Sequence, residues 1–194
     1  TQESLAEYYD QMGDAYARIC DRTGLKWRGV EADTGQIGGK VSREYMALAD
    51  AGEAELVYCD CDYAADTEDG ACLPHPTQHE LPAMQKVETP GVHTIEELSA
   101  FVGIPTTSCM KAFSVKDAEG EIYVLFVPGD HEINEIKAGR VIPGFEPLTD
   151  EEMVAAGLHK GSMGPVGLPE GITVVADNSL KNIEQWAVGA NEDG

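Results

Sequence analysis

Residues 161–169 read GSMGPVGLP, and no other stretch restricts the fold as much. Three glycines and two prolines in nine positions rule out a helix and make a poor central strand. Glycine admits φ > 0 and close backbone approach, while proline fixes φ and removes a donor. The remaining amides can point into one concavity, a surface that holds an oxyanion, a phosphate or a ligand carbonyl. The alternative is a tight surface turn without chemistry. The elements around the stretch decide between them.

Residues 1–23 carry Leu5, Tyr8, Met12, Ala15, Tyr16 and Ile19 at helical spacing, with Gly24 as a stop. Residues 26–32 read as a strand and residues 33–39 (DTGQIGG) as a Gly-rich loop with neither a phosphate-loop ending nor a dinucleotide fingerprint. Residues 41–49 and 54–59 read as two strands joined by a turn at 50–53. Residues 67–83, with Pro74, Pro76 and Pro82, have a linker's composition. Pro76 also separates His75 from His79, so they do not form a helical metal pair. Thr94-x-x-Glu97 is a capping box opening a helix over 95–102. Residues 110–115 and 121–127 read as strands around a turn at 117–120, and Thr149-x-x-Glu152 caps a helix ending near Gly157. Residues 172–176 read as the last buried strand and residues 180–188 as a helix. The irregular alternation predicts a mixed α/β fold.

Charge limits the partners. The formal net charge of −22 opposes a protein that grips nucleic acid through its overall field, and the excess acid serves solubility. No apolar run approaches the ~18–20 residues of a membrane span, and nothing suggests export, so a cytoplasmic location is expected. Five cysteines, including Cys59-x-Cys61 and Cys72, lack zinc-site spacing and read as reduced thiols; no metal is expected.

Three stretches together, residues 110–116 (MKAFSVK), 129–137 (GDHEINEIK) and 161–169, resemble the inserted editing domain of bacterial prolyl-tRNA synthetases, whose family also contains free-standing deacylases of mischarged tRNA. The resemblance extends back through residues 24–68, similar to the synthetase core after its second class-II motif, and ends at residues 189–194 (GANEDG), similar to the re-entry into that core. It implies four parts: residues 1–70 as a partial class-II core of antiparallel strands and a helix, 71–84 as linker, 85–188 as a compact, barrel-like mixed-sheet editing domain, and 189–194 as re-entry. It further implies an excised piece lacking the ATP-gripping motifs. The parent ligase would use ATP and magnesium to activate proline and would be a homodimer, with the fragment possible as a monomer; editing itself would need no cofactor. A histidine that discriminates alanyl from prolyl substrates would lie two residues beyond Gly194.

The same resemblance implies site residues. Lys111 matches a lysine required for editing near the 3′-terminal nucleotides; by composition alone it is a solvated strand end. Gly161-x-x-x-Pro165, with Gly164 inside it, matches the editing-loop motif. Asp177 matches a functional aspartate that binds the substrate's ammonium or a ribose hydroxyl; alternatively it caps the turn at 178–179. Asp130, His131, Glu132 and Asn134 sit at a strand-to-helix corner, where Asp130 reads as an N-cap with acids in the first turn of a helix running through Glu135, and His131 alternatively as a general base or ribose contact. Gly38, Gly39, Ser42 and Glu44 would line the remnant synthetic pocket, with Arg43 replacing the family's histidine. The implied reaction is hydrolysis of the alanyl ester at the 3′ end of tRNA(Pro), with loop amides stabilising the oxyanion and no covalent intermediate, since no Ser-His-Asp or Cys-His set is evident. A free-standing deacylase and a non-catalytic tRNA-docking module are the competing readings.

Overall fold

The computed structural model describes residues 1–32, 34, 42–61, 63–73, 80–181 and 183–192. It divides into two compact units, Thr1–Cys72 and Leu73–Gly194.

The first unit begins with helix α1 (Gln2–Thr23), which ends where Gly24 takes φ 73° and donates back to Asp21. Four strands follow: β1 (Trp27–Ala32), β2 (Ser42–Ala47), β3 (Leu56–Tyr58) and β4 (Ala64–Asp66). They lie in the order β2-β1-β4-β3. The expected pair at 41–49 and 54–59 is therefore no hairpin: β2 and β3 occupy opposite edges. β4, missed in the sequence, pairs antiparallel with β3 and parallel with β1. Its three residues are too short to carry a periodicity, and the sheet is mixed rather than wholly antiparallel. Tyr45 of β2 stacks on Tyr16 of α1 at 5.3 Å between ring centroids. In the turn between β3 and β4, Cys59 and Cys61 are joined as a disulfide, where reduced thiols were expected, their Cα atoms 5.1 Å apart.

The second unit is built on an antiparallel hairpin. β5 (Met110–Lys116) and β6 (Ile122–Pro128) pair with Lys111 opposite Val127 and Phe113 opposite Leu125. Asp117 closes their turn, its carboxylate accepting from the Glu119 and Glu121 amides at 3.1 and 2.8 Å. Around the hairpin lie α2 (Ile95–Val102), α3 (Glu135–Val141), β7 (Glu146–Pro147), α4 (Asp150–Ala155) and β8 (Thr173–Ala176). The sheet order is β7-β5-β6-β8, with β6 and β8 parallel.

Strand pleat divides the core into two layers. Val124 and Phe126 pack with Met153, Leu158, Met163 and Leu180 on one face. Val115 and Leu125 pack with Ala138 of α3 and with Ile142, the residue that follows the helix, on the other. Both capping boxes form as the sequence implies, at Thr94/Glu97 and Thr149/Glu152.

Three further expectations, all in the second unit, are not met. Asp130 is not the N-cap of α3; Asn134 is, its side-chain oxygen accepting from the Lys137 amide at 3.0 Å. The later start leaves Ile133 to pack with Ala138 and Ile142 on the sheet. β8 is a largely exposed edge strand rather than a buried one, because among the described residues no strand pairs with its outer side. Residues 183–188 form no helix. The Met110 amide donates to the Ala187 carbonyl, and the Ala187 amide to the Ser108 carbonyl, each at 2.9 Å. These pairings hold the segment extended while Trp186 still reaches the core. Non-local pairing here outweighs a helical apolar spacing.

Far from that end of the sheet, Lys116 reaches Glu152 at 2.7 Å. The Lys116 ammonium, followed by the Thr149 amide and hydroxyl, holds the Glu152 carboxyl down at about 2 from an ordinary 4.5. A carboxylate with a depressed folded pKa stabilises the fold fully above its unfolded value and progressively less below it. Wild type should therefore outlast Glu152→Gln in denaturant at neutral pH, with the margin shrinking between pH 4.5 and about 2. A margin constant across that window would refute the assignment.

Candidate functional site

Lys111, Asp177 and the 130–134 corner lie at the end of the sheet where β6 and β8 finish and β5 begins. The 161–169 loop is tied to that end through Asn191 and the Ala187–Met110 pairing, with Met163 packed on the Phe126 face, opposite the one to which pleat directs Lys111. Open parallel strands commonly present ligand sites at their carboxyl ends. An open depression of about 420 Å³, lined by Lys116, Ile122, Leu148 and Glu152 among others, lies at the opposite end and contains none of them.

Lys111 stands on β5 with most of its side chain covered, 20% exposed. Pleat directs it to the same face as Phe113 and Val115. Its ammonium donates to the His131 carbonyl at 3.1 Å and pairs with the Glu132 carboxylate. The corner after β6 thus wraps the lysine head. Gly129 allows this close turn: a Cβ there would lie 2.5 Å from the Thr106 carbonyl oxygen and 2.8 Å from Ile95 Cγ2. Asp130 and His131 form a neighbouring pair, His131 Nδ1 lying 2.9 Å from the Asp130 carboxylate.

Asp177 follows β8 and is exposed. Its amide donates to the Phe126 carbonyl at 2.9 Å, and its carboxylate accepts from the Ser179 amide at 2.8 Å, capping the short 3-10 turn Asn178–Leu180. The capping reading of Asp177 is therefore satisfied, and any substrate contact would be additional. Lys111 and Asp177 flank the end of β6 from opposite sides, about 10 Å apart by strand spacing.

The loop at 161–169 takes φ 82° at Gly161 and 85° at Gly167. Gly164 serves a different need, close approach: a Cβ there would sit 1.9 Å from the Gly189 carbonyl oxygen. Asn191, in the left-handed region at φ 56°, fastens the loop. Its Oδ1 accepts from the Gly164 amide at 2.8 Å, while its Nδ2 donates to the Gly164 and Val166 carbonyls at 3.1 and 2.8 Å. The Ser162 amide is bonded to His159. These two loop amides are thus turned to the protein, and the expected concavity of freely inward amides is reduced accordingly. Pro165 is half-buried beside them.

Two residues take partners that the sequence did not indicate: Glu132, expected only as an acid of the first helical turn, pairs with Lys111, and Asn191 with Gly164. An asparagine after two small residues was the signal for Asn191, since asparagine tolerates the left-handed region. Its partner 27 residues away is not readable from spacing. The nearby Cys109 is fully buried, and burial pushes its thiol above its ordinary value, which suppresses the nucleophilic thiolate.

In the first unit, Ser42 is half-buried and Glu44 exposed on edge strand β2, while Gly38 and Gly39 lie outside the described residues. His75 and His79 also lie outside them. Among the described residues no group of three His, Cys, Asp or Glu side chains is arranged to hold a metal, and no helix is long and apolar enough to cross a membrane.

Residues 89–194 match the family described as the aminoacyl-tRNA editing domain. The chain is similar to proline–tRNA ligases: 45% identical over 189 residues to that of Geobacter sulfurreducens, covering 94% of this chain and 32% of the relative. Against the Fusobacterium nucleatum ligase it is 41% identical over 197 residues, covering 99% and 35%. The chain thus spans about a third of the curated relatives it matches. Among solved structures, it is 27% identical to a candidate trans-editing enzyme for prolyl tRNA synthetase, with a TM-score of 0.47, covering 55% of this chain and 70% of that one.

Proposed function

Because the chain belongs to the aminoacyl-tRNA editing domain family, we propose that residues 85–188 hydrolyse alanyl-tRNA(Pro). In this reading residues 1–70 are part of a class-II proline–tRNA ligase core, 71–84 a linker and 189–194 the return into that core. The observation that supports it is that Lys111 and Asp177 lie at one end of the sheet, inside the stretch matched to the family, and that the 161–169 loop is tied to that end through Asn191 and the Ala187–Met110 pairing.

The chemistry follows from those positions. The 3′-terminal nucleotides of tRNA lie against Lys111, whose ammonium neutralises a phosphate near the scissile ester. Water, oriented by the substrate's own ribose hydroxyl, attacks the carbonyl carbon, and loop dipoles face the developing oxyanion. Selectivity is steric: a pocket sized for one methyl accepts alanine and refuses the proline ring. Asp177 and His131 contact the terminal ribose or the α-ammonium. The net charge of −22 is compatible with this, because only the 3′ end needs to be held locally.

ATP and magnesium belong to the parent ligase's activation of proline. On the face of β2 that carries Ser42 and Glu44 there is no cation on that strand for a triphosphate. Ser42 and Glu44 offer a hydroxyl and a carboxylate, and Arg43 turns to the other face of β2, over Gly29. No step is derived through either group.

The engaged states of Lys111 and Gly164 favour one rival, a module that docks tRNA without cutting it. The deciding experiment follows alanine release from alanyl-tRNA(Pro), with prolyl-tRNA(Pro) as control, for this chain and for one extended past residue 194. Selective alanine release is expected. Binding without hydrolysis by both chains would reject editing and leave docking.

A further inference from the structure

The Lys111 ammonium is not presented bare at the sheet end; a carboxylate of the same corner already occupies it. The two sides of that ion pair differ sharply. The Lys111 side chain is 20% exposed and tied to the His131 carbonyl at 3.1 Å, so its position is fixed by β5 and by the backbone of the corner. The Glu132 side chain is 78% exposed. When it swings away it regains hydration at almost no desolvation cost, whereas the lysine stays where the backbone holds it. Ion pairs with one solvated partner are weak and exchangeable.

We propose that Glu132 is a resident anion on Lys111, a stand-in that the phosphodiester of the incoming 3′ end displaces. This rests on the reading of the site as a binder of the tRNA 3′ end. The role is competitive. With the site empty, Glu132 neutralises a mostly covered cation that the backbone already holds in place. With substrate bound, one carboxylate leaves and one phosphate arrives, so the net charge at Lys111 is conserved. Glu132 therefore sets how tightly the end is held and discriminates against weak anions, without touching the reacting atoms. It is a positioning residue acting through Lys111.

Two readouts test this. The first is titration with a 5′-phosphorylated CCA trinucleotide, which carries phosphates but no ester and so reports binding whether or not the protein is a deacylase. Glu132→Gln should bind it about 2–5-fold more tightly than wild type, the range of one exposed ion pair. Glu135→Gln, which removes an exposed acid from the first turn of α3, controls for the general loss of negative charge and should change binding less. In a Lys111→Met background, Glu132→Gln should add nothing beyond that control. The second readout is deacylation kinetics, where Glu132→Gln should lower KM and leave kcat unchanged, because Glu132 has left before chemistry. Equal effects of Glu132→Gln and Glu135→Gln, persistence of the effect in Lys111→Met, or no binding by any variant would each overturn the proposal. Tighter trinucleotide binding with no hydrolysis in any variant would retain it and reject editing alone.

Discussion

Gly164→Ala should be among the most damaging single-methyl changes in the second unit, with Gly189→Ala its counterpart across the same backbone contact. Its Cβ would lie 1.9 Å from the Gly189 carbonyl oxygen and 3.0 Å from the carbonyl carbon. The obstacle is backbone, so no side-chain rotation relieves it, and either the loop or residues 189–191 must retreat. Retreat breaks the three hydrogen bonds that the Asn191 side chain makes to the loop. Overpacking of this kind costs about 2–3 kcal/mol, equivalent to a fall in Tm on the order of 10 °C for a unit of this size. If the loop detaches locally instead, the loss appears as faster hydrogen exchange at residue 164 and as lost deacylation. Gly161→Ala is the contrasting variant. A Cβ at Gly161 meets nothing within 4 Å, and only its φ of 82° resists, at about 1 kcal/mol. Calorimetry and hydrogen exchange on the two variants decide the matter; a Gly164→Ala protein that melts and exchanges like wild type contradicts the close approach.

The second large effect belongs to catalysis rather than folding. Lys111→Met keeps most of the aliphatic stem that lies along β5 and removes the ammonium. Stability should change little, because the ion pair it loses is with a mostly exposed carboxylate. Deacylation of alanyl-tRNA(Pro) should fall about 100-fold, the scale at which one positioned electrostatic group contributes to an acyl-transfer transition state. Lys111→Ala should fall equally in rate and somewhat further in stability, separating charge from packing. Rates within a few-fold of wild type for both variants would remove Lys111 from the site.

Much of the second unit is written locally. Thr94 and Thr149, each three residues before a glutamate, carry their own helix starts, and the β5–β6 hairpin is legible from two apolar runs around Asp117. Where local signals compete, the sequence misleads. Asp130 and Asn134 are both competent caps, and the choice of Asn134 depends on where Ile133 packs. Residues 180–188 have helical spacing, yet Ala187 is claimed by the backbone of Ser108 and Met110, which no local window contains. The site follows the same division. Lys111, Asp177 and the Gly-Pro loop could be named from their stretches, but Glu132 against Lys111 and Asn191 against Gly164 are meetings of segments 21 and 27 residues apart.

The clasp at Gly164 also bears on transplantation. A peptide copied from residues 161–169, or the same nine residues grafted between strands of another scaffold, would carry the glycines and prolines but neither the carbonyl of Gly189 that fixes the approach nor the carboxamide of Asn191 that occupies both polar edges of Gly164. Half of what gives the loop its shape is encoded elsewhere in the chain. The smallest transferable unit is therefore the pair of segments, 161–166 and 187–191, together with the start of β5 on which the second of them is hung.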